Sequence, residues 1–275
     1  MASDTQPSAF TIALVGWRDA LRAITQMMPV AGPAFLFTLV AEVALQLLHS
    51  HSRAIEFAIL PLYWVAQSLV LTPLAIAVHR YVLLEEVTRH YALDRSDPRF
   101  QRYFGFAVAV QALWLGLWVW LIIGHFAFGW PALPGEPIPP EAGEHLGWIL
   151  LVSFAGPMLT CLVIVRVTLR AAILFPAVAT DAPGAGWRNA RDDSEEHIFR
   201  MFCAFALGFV PTLLFDAVND FILTPEQAGS HPALQAAGVV VRAAKAVLIV
   251  SAFAAIASTF YVAYGRRLKG SAPVA

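Results

Sequence analysis

Apolar and polar positions along this chain are sorted into long blocks rather than alternating at short period. Residues 29–48, 57–84, 104–130, 147–179, 201–223 and 236–264 form six apolar runs, separated by short polar connections. Crossing roughly 30 Å of hydrocarbon takes about 20 helical residues, and each run reaches that length. The period-2 alternation of a membrane barrel is absent, and a backbone without water must satisfy its own polar groups, so the runs predict helices. The second and fourth runs exceed one span. The fourth carries Arg166 and Arg170, so its span is expected over 147–165. Residues 166–179 are expected to continue as helix beyond the membrane surface.

Ahead of the first run the pattern changes. Phe10, Leu14, Trp17, Leu21, Ile24 and Met28 recur at steps of three and four, with Thr11, Arg18, Arg22 and Thr25 on the opposite side. This is one apolar stripe of a helix. It predicts an amphipathic helix within 9–28 that lies in the membrane interface or packs its stripe on the bundle. Pro29 and Pro33 are expected to turn the chain into the first span. No signal peptide is expected, because Arg18, Asp19 and Arg22 interrupt the only candidate apolar core.

The connections are brief. Ser96-Asp97-Pro98 reads as a helix cap leading into the third run. Five prolines between 131 and 140 predict a stiff outer connector. Residues 181–199 combine a Pro/Gly turn with a charged stretch around Trp187, which predicts a short surface helix. Residues 1–8 and 270–275 are expected to be disordered, leaving 29–269 as a six-span membrane domain.

Composition strengthens this picture. The 275 residues are 59% hydrophobic and only 13% charged, against about 25% charged in soluble domains. A net charge of −1 lacks the basic excess that phosphate backbones require, so no nucleic-acid partner is expected. Cys161 and Cys203 lie inside apolar runs and read as small buried hydrophobes.

Charge placement supplies an orientation. Arg18, Arg22, Arg80, Arg89, Arg95, Arg99, Arg102, Arg166, Arg170, Arg188, Arg191, Arg200, Arg266, Arg267 and Lys269 fall on one side, leaving only Arg53, Arg242 and Lys245 for the other. The positive-inside rule puts both termini in the cytoplasm, as expected for a bacterial inner-membrane protein.

Ionisable residues inside the runs are the best functional pointers, since each costs about 2.5–3.5 kcal/mol at a helix centre. Asp216, Asn219 and Asp220 share a face of the fifth span, and Arg242 and Lys245 lie one turn apart in the sixth. An antiparallel hairpin about residue 231 sets Asp220 level with Arg242 and Asp216 level with Lys245. Glu42 and Gln46, at similar depth in the first span, are candidates to join them. The cluster reads either as a lock between helices or as an outward-facing pocket for an ion, a small solute or a lipid. Arg166 and Arg170 are candidates for a lipid headgroup, or for pairing with Asp181, Glu85 or Glu86.

Gly156-Pro157 and Gly208 with Pro211 keep a transport reading open, because broken helices at mid-depth line transporter sites. Metal and enzyme readings have little to stand on. His49, His51, His125, His145 and His231 show no helical ligand spacing. Glu85-Glu86-Val87-Thr88-Arg89 is similar to the EExxxR signature of intramembrane CAAX-type proteases but is one residue short. No nucleophile elbow or phosphate loop is present, and neither a metal nor a cofactor is expected.

A wider resemblance rests on Arg170-Ala-Ala-Ile-Leu-Phe-Pro-Ala-Val-Ala-Thr-Asp181, Trp187-Arg188-Asn189-Ala190 and Ile198-Phe199-Arg200-Met201-Phe202. With Arg80–Glu85, these resemble a group of bacterial six-span proteins that includes the membrane domain attached to some glycerophosphodiester phosphodiesterases. The chain departs from that group at Asp192-Asp193-Ser194-Glu195-Glu196-His197. The resemblance implies an inner-membrane six-helix fold and carries no functional residue.

The sequence thus predicts an all-α polytopic helical bundle of six transmembrane helices with an N-terminal interfacial helix. Its expected role is non-enzymatic, as an accessory, scaffold or envelope-homeostasis protein. The expected partners are membrane lipids and a membrane protein or a second copy.

Overall fold

A computed structural model describes residues 7–49, 53–128, 146–222 and 232–270. They form eight α-helices: α1 (Ala9–Gln26), α2 (Met28–His49), α3 (Arg53–Leu84), α4 (Pro98–Phe128), α5 (Leu146–Ala179), α6 (Trp187–Ser194), α7 (Ile198–Ile222) and α8 (Pro232–Tyr264). A 3₁₀ turn, Glu195–His197, links α6 to α7. Among the described residues there is no strand. The proline-rich connector lies outside the described residues, as do His51, His145 and His231.

Five helices, α2, α3, α5, α7 and α8, are long and apolar enough to cross a membrane. The remaining run falls on α4, 31 residues long. At 32, 34 and 33 residues, α3, α5 and α8 extend over about 50 Å, well beyond roughly 30 Å of hydrocarbon.

The chain divides into two compact units, residues 107–168 and the remainder. The first holds α4 from residue 107 onward and the first two thirds of α5, where the helix runs unbroken through Gly156-Pro157. In the larger unit α8 is the central element, packed by α1, α2, α3 and α7. Its core gathers Leu74 and Val78 of α3 with Ala252 and Ala255 of α8; α1 adds Ala20 and Ala23, and Met27 at the turn after it joins them.

Helix α1 does not pack most of its stripe of large apolar residues on the bundle. Ser8 caps it, its Oγ accepting from the Thr11 amide at 3.1 Å, the usual way to satisfy a first-turn N–H. The buried side is Ile12, Ala13, Gly16, Ala20 and Ala23, not the large-residue stripe. Phe10, Leu14 and Leu21 are 65%, 61% and 49% exposed. Small residues win the core because they let backbones approach. A Cβ on Gly16 would lie 2.3 Å from Ile256 Cγ1 and 3.1 Å from its backbone nitrogen. Gly208 of α7 meets the same Ile256 side chain from another direction. Trp17 Nε1 donates to the Gly208 carbonyl at 2.8 Å, one turn from Pro211, and α7 remains a continuous helix through that proline. The chain turns at Met27, and Pro33 sits inside α2.

Residues 85–97 have no regular structure. The segment opens at Glu85 with φ 56° and closes where Asp97 Oδ1 accepts from the Arg99 amide at 2.8 Å, capping α4. Between these points Tyr91 reaches back along α3, donating to the Val70 carbonyl at 2.8 Å and lying 5.8 Å from the ring of Phe37.

Candidate functional site

Helix α8 carries two cations one turn apart, and each finds a carboxylate on a different helix. Arg242 Nε donates to Glu42 Oε2 at 2.9 Å, and its terminal nitrogen donates to Gln46 Oε1 at 2.7 Å. The i, i+4 spacing of Glu42 and Gln46 puts both on the α2 face turned to α8. Helix α3 completes the shell: Tyr63 donates its hydroxyl to Glu42 Oε1, and Gln67 Nε2 donates to the Tyr63 oxygen at 3.2 Å. Glu42 is 8% exposed, so its charge is held among an arginine and a phenol rather than in solvent, as a buried carboxylate requires. Lys245 pairs with Asp216 of α7.

Glu42 and Gln46 of α2 thus join the cluster through Arg242, and Lys245 meets Asp216 as the hairpin register sets it. The register also sets Arg242 level with Asp220. The side chains of Asn219 and Asp220 lie outside the described residues.

The arginine pair at the far end of α5 divides. Arg170 pairs with Glu195, not with Asp181, Glu85 or Glu86, and with 13% of its side chain exposed it has little surface to offer a headgroup. Asp181 binds Arg99 and Glu86 binds Arg80. Arg166 lies one turn earlier on α5. Asp192 pairs with Arg267. The Asp193 carboxylate accepts from the Arg267 and Leu268 amides at 3.1 and 3.0 Å. Together with Glu195 these acids hold α6 against the ends of α5 and α8.

Sequence reasoning missed a second polar cluster. His79 is 1% exposed, with Nδ1 2.8 Å from Ser258 Oγ and Nε2 3.1 Å from the Tyr103 hydroxyl. It ties α3 to α8 and to the first turns of α4. A lone histidine in an apolar run gives no spacing signal, so only the packing reveals it. Both partners are hydroxyls that donate or accept, so a neutral imidazole satisfies both nitrogens. Among the described residues no three His, Cys, Asp or Glu side chains are grouped to hold a metal, and both cysteines are free.

No family model, curated protein or solved structure matches this chain.

Proposed function

We propose that this chain is a six-span bacterial inner-membrane protein with both termini in the cytoplasm. Its role is non-catalytic, that of an accessory or scaffold protein or of a factor in envelope homeostasis. One observation carries the reading: both cations of the central helix are matched by carboxylates on two different neighbours. Paired charges of this kind fix helices against one another. The five long apolar helices, the apolar run on α4 and the arginine-rich connections support the span count and orientation.

The test is paired neutralisation. Asp216→Asn together with Lys245→Met removes both charges without leaving either uncompensated. A scaffold keeps its yield, its stability in detergent and the growth of a strain that depends on it. Normal folding with loss of growth would reject the scaffold in favour of a pathway for a small solute, ion or lipid through the charged site.

A further inference from the structure

We infer that the outer half of α7, with the Asp216–Lys245 pair at its rim, is the interface through which two copies of this chain associate in the bilayer. The inference rests on the membrane-spanning reading above and adds the partner.

On α7, Val210, Leu213 and Leu214 are 50%, 52% and 66% exposed, and Ala206 and Ala217 share that exposed face. The opposite face, with Ala204, Gly208 and Thr212, is buried. Asp216 lies at the edge of the exposed face, and its side chain is 46% exposed even while paired with Lys245, which is 22% exposed. An apolar face needs nothing but lipid. An ion pair on its rim is different, because charged groups inside a bilayer face protein or water rather than hydrocarbon.

Charge selects the occupant. Two copies in one membrane with the same orientation are related by an axis along the bilayer normal, so each interface residue meets partner residues at its own depth. Asp216 and Lys245 are at one depth, as their mutual contact requires. A patch with one anion and one cation at equal depth is self-complementary under a two-fold axis, since each Asp216 faces the other copy's Lys245. Ala206 and Ala217 on this face are small residues of the kind that membrane interfaces favour for close backbone approach.

The experiment uses full-length protein, differently labelled and reconstituted into phosphatidylethanolamine/phosphatidylglycerol vesicles at low density, with energy transfer as the readout. The exchange variant Asp216→Lys/Lys245→Asp keeps the internal pair and the fold. Wild type with wild type, and exchange with exchange, are expected to associate. Wild type mixed with exchange sets like charges against each other across the axis, and transfer is expected to fall at least tenfold. A mixed signal equal to that of wild type, or a wild type that stays monomeric in vesicles, overturns the proposal. A second variant is independent of the exchange. With Cys161 and Cys203 changed to Ser, Ala217→Cys is expected to give an oxidised dimer, and Val40→Cys on α2 is not. The absence of that cross-link, or an equal cross-link from Val40→Cys, overturns the interface. Recovery in the soluble fraction would instead reject the membrane reading itself, so the two failures are distinguishable.

Discussion

Tyr91 donates its hydroxyl to the carbonyl of Val70 at 2.8 Å, about 21 Å along α3 from the helix end at Leu84. The segment bearing it has backbone groups outside any helix, and these need water or headgroups. The headgroup layer is therefore expected at the level of Tyr91, with the last turns of α3 beyond it. Nitroxide labels at Ala92 and Leu93 should read as interfacial in depth measurements. A reading at the bilayer centre would contradict this.

The same residue gives a pH prediction. Burial pushes the Tyr91 hydroxyl up to about 12, so the folded state favours the neutral phenol. Its contribution is complete below about pH 10, the ordinary tyrosine value, and is lost as pH rises towards 12. Tyr91→Phe should flatten that part of the alkaline stability profile. It should also cost about 1 kcal/mol at neutral pH, the usual worth of one hydrogen bond.

Gly16→Ala should dislodge α1, because the new methyl meets Ile256 backbone as well as side chain. A cost of about 1–3 kcal/mol is expected for such overpacking. Ile256→Val on the same chain should return part of it. Thermal unfolding in detergent measures both, and Trp17 emission reports whether the indole has left the Gly208 carbonyl.

Glu42→Gln leaves Arg242 with only part of its shell and should destabilise by about 3 kcal/mol, as when one partner of a buried pair is removed. Adding Arg242→Met should recover most of that loss. Additive costs in the double variant would show that the two side chains do not interact.

Asp193→Ala strips the acceptor from two adjacent amides, those of Arg267 and Leu268. Faster proteolysis after residue 264, with the helices intact, is the expected result, at about 1–2 kcal/mol of local stability.

Much of this was legible in the residues. Long apolar runs become long helices because few other structures satisfy a backbone without water. Asp97 before Pro98 caps α4, and the charged stretch around Trp187 becomes α6. Counting from residue 231 sets Lys245 beside Asp216, and that contact is present. Glu42 and Gln46, picked out by their depth in the first run, both accept from Arg242. Other contacts between helices distant in sequence were harder to read. The docking face of α1 escaped because alanine and glycine barely register in an apolar pattern, while the larger Phe10, Leu14 and Leu21 dominate it. They mark the side that stays exposed, and the close approach to Ile256 depends on the absence of a side chain.

The helix around which the larger unit is organised is made after every other described helix. Until α8 enters the membrane, Glu42 and Asp216 have no cation, and α1 lacks Ile256 to rest on. The nascent protein must therefore pass most of its synthesis with its carboxylates uncompensated. Loss of residues 232–275 should cost more than any single earlier helix-stabilising contact: a ribosome-released truncation at 231 is expected to be cleared by membrane proteases within minutes, where the full-length chain persists.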